Sequence, residues 1–140
     1  MIPPLGTRTY ILGVMSGEST EISLEQAVAL LREGAAFIDA RPSTAYEQSG
    51  WRIPGARQVG AGSGVDILEA LKAIPDELTI VVYCDDPEQA PSALIACRAR
   101  ELGLGHAYHL KGGFEAWRVR GLPIERVPDL AIAPEAQPGG

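Results

Sequence analysis

The chain has 140 residues, a length that suits one domain built on a single hydrophobic core. Its 46% hydrophobic and 21% charged residues exclude a disordered chain. A net charge of -6 argues against a general nucleic-acid binder, whose affinity rests on Lys and Arg neutralising phosphates.

No run approaches the roughly 18–20 apolar residues needed to span a bilayer, so no membrane partner is expected. The apolar run at 10–15 is short, Arg8 is a lone positive charge ahead of it, and no small-residue cleavage site follows. The expectation is a cytoplasmic protein. Cys84 and Cys97 give neither a framework of bridges nor paired metal-ligand spacing, so a reduced thiol pair is expected.

Residues 1–21 read as an N-terminal extension, with 7–15 a candidate first strand because Thr, Tyr, Ile and Val dominate it. The domain proper is placed at 22–128. Ser23 and Gln26 form a capping-box pattern that opens a helix. Leu24, Ala27, Val28 and Leu31 recur at helical spacing, and Gly34 closes the helix. Residues 36–39 are a short buried strand ending on Asp39. A helical turn is expected around 45–48, then a turn at 53–56 leading into a short strand near 57–59.

Residues 65–74 predict a second helix, stopped by Pro75. Residues 78–83 are continuous, apolar and β-branched, the pattern of a strand buried on both faces of a parallel sheet. Pro91 suits the first turn of a helix that runs to about residue 102 and ends at Gly103. A strand at 107–110 follows, then a helix bearing Phe114 and Trp117, closed by Gly121 and Pro123. Residues 129–140 are rich in Pro, Ala and Gly and are expected to be a disordered tail. Strands alternating with helices define an α/β domain with a largely parallel sheet.

Ligands in such sheets bind beyond the carboxyl ends of the strands. Cys84 stands at that edge, with a strand before it and a helix after it. A loop folding back onto a helix N-terminus turns backbone N–H groups inward, where they hold anions and stabilise a thiolate. Asp39 and Arg41 end another strand at the same edge. Arg41 there either supplies positive charge to the loop or forms a structural ion pair with Asp39, and the pair is the favoured reading.

Tyr83-Cys84 with the helix after it, Leu110-Lys111-Gly112-Gly113-Phe114-Glu115-Ala116-Trp117, Ile38-Asp39-Ala40-Arg41 and Ile53-Pro54-Gly55-Ala56 together resemble a rhodanese domain. The four blocks keep the family's order at nearly its spacing. The resemblance implies a rhodanese-like sheet of about five mostly parallel strands flanked by helices. It also implies a single-domain sulfurtransferase that needs neither metal nor other cofactor. Cys84 matches the nucleophile that takes sulfane sulfur from a small donor such as thiosulfate. The resulting persulfide passes its outer sulfur to a thiol, cyanide or a protein acceptor.

The loop that matches the family's substrate-binding loop is Asp85, Asp86, Pro87, Glu88, Gln89, Ala90, Pro91 and Ser92. It departs from the family's six-residue pattern by about two extra residues, by its carboxylates, and by having no Arg or Lys. Arg52 stands where the family's turn usually has His, and Gly50-Trp51 look inserted before it. These departures leave a second reading open, a catalytically weak rhodanese-like module that binds or regulates a partner. The related phosphatases and arsenate reductases clamp their oxyanion with a loop Arg that this chain lacks, so phosphatase activity is not expected.

Gly60-Ala61-Gly62-Ser63-Gly64 lacks the spacing of a phosphate-binding loop and reads as a connection. Cys97 reads as a core residue of its helix. His106 and His109 read as surface or strand-end residues without a third metal ligand.

Overall fold

Short apolar runs supply the centre of the molecule, in a computed structural model that describes residues 20–85, 90–104 and 106–128. The candidate strand at 7–15, loop residues Asp86, Pro87, Glu88 and Gln89, and the tail at 129–140 lie outside the described residues. Strands β1 (Glu21–Ile22), β2 (Ala36–Asp39), β4 (Arg57–Gln58), β5 (Ile80–Tyr83) and β6 (Ala107–Leu110) form one sheet in the order β1-β6-β5-β2-β4. Every pairing in it is parallel. A separate two-stranded antiparallel piece joins β3 (Trp51–Arg52) to β7 (Glu125–Arg126).

The central strand β5 is buried at all four positions because helices cover both faces of the sheet. Val81 and Tyr83 turn to a core shared with Ala27 and Leu30 of α1 (Leu24–Arg32) and with Phe114 and Trp117 of α5 (Gly113–Val119). Ile80 and Val82 turn the other way. They meet Ala70 and Leu71 of α3 (Ile67–Lys72) and Ile95, Ala96 and Ala99 of α4 (Ala90–Glu101). Each fully buried Val or Ile contributes about 1.5–3 kcal/mol, so substituting β5 disturbs both cores at once.

Local chemistry sets the helix ends. At α1, Ser23 Oγ accepts from the Gln26 N–H at 3.1 Å and the Gln26 side chain accepts from the Ser23 N–H at 2.9 Å, the capping box read from the sequence. Such a cap stabilises a helix by about 1 kcal/mol. Gly34 then takes φ +92°, a conformation that a side chain resists. Helix α3 is shorter than the expected 65–74, because Asp66 caps it from outside by accepting from the Leu68 and Glu69 N–H groups. Helix α2 (Ser43–Ser49) buries Tyr46 and ends at Gly50 in the left-handed region.

Candidate active site

The parallel register brings the carboxyl ends of β2 and β5 side by side, with Asp39 opposite Tyr83. Cys84 follows Tyr83 and is buried, at 6% exposure. Its carbonyl accepts the Phe114 N–H at 2.7 Å, and the Asp85 carbonyl accepts the Glu115 N–H at 3.1 Å. The first turn of α5 therefore holds the chain where it leaves β5. Gly112 at φ +82° makes that approach, and a Cβ there would lie 2.6 Å from the Ala116 Cβ.

At the same sheet edge lies a buried ionic cluster. Asp39 and Arg41 both have fully buried side chains and form an ion pair at 2.6 Å through Nη2. Asp39 Oδ1 accepts from the Arg41 backbone N–H and Nε, each at 3.0 Å. Arg41 Nη2 also donates to the Trp51 carbonyl at 2.8 Å, which ties β3 to the sheet edge. The guanidinium carbon sits 4.3 Å from the Phe114 ring centroid, a cation–π contact that joins this cluster to α5. Burial pulls the Arg41 pKa down, but the hydrogen bond and charge of Asp39, with smaller help from Tyr83 and Asp85, raise it above the ordinary value.

Tyr83 completes the cluster. Its hydroxyl donates to Asp39 Oδ2 at 2.8 Å and accepts the Ile53 N–H at 3.1 Å. Burial first, and the Asp39 charge second, push this phenol well above its ordinary pKa, so it stays neutral and keeps its proton for Asp39. Its ring stacks on Phe114 at 5.9 Å. Phe114 thus contacts Arg41 and Tyr83 with its ring and Cys84 with its amide.

The glycine-rich connection packs against the same edge. The Ala61 carbonyl accepts the Ser43 N–H at 2.7 Å, and Gln58 Nε2 donates to the Arg41 carbonyl at 2.8 Å. Gly60 is required there, since a Cβ would fall 1.9 Å from the Arg41 carbonyl oxygen.

The structure thus gathers Cys84, Asp85, Asp39 and Arg41 at one edge. Asp85 and Pro91 are exposed and Ser92 is fully buried in the first turn of α4. Arg41 is a partner of Asp39, the ion pair favoured from the sequence. The expected core position of Cys97 is incorrect: Cys97 is exposed, on a groove wall with Ile67, Leu68, Pro91 and Leu94. The buried stripe of α4 runs instead through Ser92, Ile95, Ala96 and Ala99. Neither cysteine forms a disulfide among the described residues.

Tyr83 and the Ile53 turn were not expected as parts of the cluster. The register of two parallel strands ending on Asp39 and Tyr83 is the signal that links them. Among the described residues, no group of three or more His, Cys, Asp or Glu side chains is placed to hold a metal ion, and no helix is long and apolar enough to cross a membrane.

A parallel α/β sheet carrying a cysteine at the carboxyl end of its central strand defines the class to which this chain conforms. The rhodanese-like domain family matches residues 23–120, and the chain belongs to that family. It is 35% identical over 102 residues to the thiosulfate sulfurtransferase GlpE of Pseudomonas entomophila, covering 72% of this chain and 86% of that protein. The GlpE of Pseudomonas fluorescens is 31% identical over 101 residues, covering 72% and 86%.

Among solved structures, a Rhodopseudomonas palustris protein named as of unknown function and a possible tyrosine phosphatase superposes with a TM-score of 0.60. Its identity is 26%, over 89% of this chain and 100% of that one. The BH2092 protein of Bacillus halodurans, 23% identical over 84% of this chain and 85% of that one, shares the fold with a TM-score of 0.64.

Proposed function

We propose that this protein is a sulfurtransferase whose Cys84 carries sulfane sulfur as a persulfide. The observation that carries the reading is the placement of Cys84. It follows directly on the central strand, its carbonyl is fixed by the Phe114 N–H, and a 12-residue helix begins six residues later. In the proposed reaction the Cys84 thiolate attacks the sulfane sulfur of a donor and breaks the donor's S–S bond. The sulfur then stays on Cys84 as a persulfide, ahead of the start of α4. An acceptor nucleophile removes the outer sulfur and regenerates the thiolate. The donor and acceptor are small molecules in the simplest form of the cycle, and a protein thiol serves equally as acceptor.

Membership of a family that includes thiosulfate sulfurtransferases supports this reading. Phosphoryl transfer, suggested by the name of the R. palustris protein, is not proposed. That chemistry needs a cation on the transferred group, and residues 85–92 contain no Arg or Lys. In the proposed domain plan, 22–128 form the catalytic unit, 1–21 an extension and 129–140 a tail.

Intact-mass measurement after incubation with a sulfane-sulfur donor tests the proposal. A gain of about 32 Da is expected in the wild type and not in Cys84→Ser. No gain from any donor class favours the alternative, a catalytically weak module that binds or regulates a partner.

A further inference from the structure

The cation that the strand ends bring to this edge is already engaged. Arg41 has 0% exposure and gives Nε and Nη2 to Asp39, with Nη2 shared by the Trp51 carbonyl. Its Nη1 is enclosed, without a hydrogen-bond partner among the described residues. Asp85, directly after Cys84, is exposed, and its main chain is fixed by Glu115. Asp85 thus leaves β5 at the strand edge that also carries Asp39 and Arg41. Asp39, Arg41 and Asp85 together leave one negative charge in excess, and no Lys or Arg follows through Ser92.

That charge bears on the donor. Thiosulfate is a dianion, and its transfer expels sulfite, so a thiolate must approach two like charges beside a carboxylate. An organic persulfide reacts in its protonated form, R–S–SH, which brings no charge on the transferred sulfur. The Cys84 thiolate attacks its outer sulfur, the S–S bond breaks, and R–S⁻ leaves. The outer sulfur stays on Cys84 with its proton, as Cys84–S–SH.

We infer that the Cys84 site selects organic persulfides over oxyanionic donors, and that Asp85 is the residue that sets this selectivity. The inference rests on the sulfurtransferase reading and names its donor class. Lys111, exposed on the turn before α5, is the cation best placed by sequence to oppose it.

The test measures the rate of Cys84 loading by thiosulfate, by methanethiosulfonate (the same chemistry with one charge fewer) and by 2-hydroxyethyl persulfide, whose carrier group is uncharged. Each is measured at low and high salt, in wild type, Asp85→Asn and Lys111→Gln. Repulsion is screened by salt, so thiosulfate loading should rise about threefold between about 20 and 200 mM salt. Methanethiosulfonate should respond less. Asp85→Asn should raise the thiosulfate-to-persulfide rate ratio about tenfold and flatten the salt response.

Thiosulfate loading that falls with salt, or is abolished by Lys111→Gln, would overturn the inference and assign the anion to that lysine. An unchanged ratio in Asp85→Asn would overturn it too. Failure of all three donors to load Cys84 would instead remove the sulfurtransferase reading on which the inference stands.

Discussion

Arg41→Met should destabilise the protein far more than the loss of one exposed charge. Asp39 is fully buried and accepts from Arg41 through the backbone N–H, Nε and Nη2, and from the Tyr83 hydroxyl. Methionine keeps much of the side-chain volume but leaves the carboxylate with two donors. Breaking a buried pair in this way costs about 3–5 kcal/mol. Loss of the guanidinium from the Phe114 face adds about 1 kcal/mol. A domain of this size is stable by about 5–15 kcal/mol, so the variant should unfold at much lower urea and melt on the order of 15 °C lower.

Asp39→Asn in the same chain removes the stranded charge. The double variant Asp39→Asn/Arg41→Met should therefore recover about 2–3 kcal/mol relative to the sum of the two single losses. Urea unfolding followed by far-ultraviolet circular dichroism reads all four corners of the cycle. Additive losses, or a loss below about 1 kcal/mol for Arg41→Met, would refute the assignment of this pair as the buried anchor of the site.

Two further outcomes follow from the same structure. His109 pairs with the Thr20 hydroxyl through Nδ1, and burial pulls its pKa below 6.5 against the opposing charge of Glu21, with Arg100 adding to the fall. A depressed histidine contributes stability above its unfolded pKa and loses it as pH falls. Unfolding by urea should thus become easier from pH 7 towards pH 5, and His109→Gln should flatten that slope. Gly60→Ala places a methyl group against the Arg41 carbonyl and should cost about 1–3 kcal/mol, measured as a lower melting temperature.

The parts legible in the sequence are those whose signals are local. The continuous run that contains β5, the Ser23 capping box and the positive-φ glycines at 34 and 103 each carry their meaning within a few residues. The missed elements depend on distant partners. β1 is two residues long and exists because Glu21 and Ile22 pair with His109 and Leu110. β3 pairs with β7 across 73 residues, through Arg52 and Glu125, and neither segment has a periodicity of its own.

Cys97 was misplaced because α4 is rich in alanine. Its small residues, at 93, 96 and 99, support more than one apolar stripe, and the structure buries the one through Ile95 and leaves Leu94 70% exposed. The reach of Arg41 was open for a similar reason. Sequence places Asp39 and Arg41 at one strand end, but only the packing of Tyr83, Phe114 and the Trp51 carbonyl decides that the guanidinium folds back.

The most direct test of the central claim is a single turnover of the loaded protein with cyanide. Protein carrying one extra sulfur, freed of donor, should release thiocyanate in about one-to-one yield and return to its original mass. Cys84→Ser treated identically should release none. Thiocyanate from the Cys84→Ser protein, or a loaded wild type that keeps its sulfur in excess cyanide, would contradict the assignment of Cys84 as the sulfur carrier.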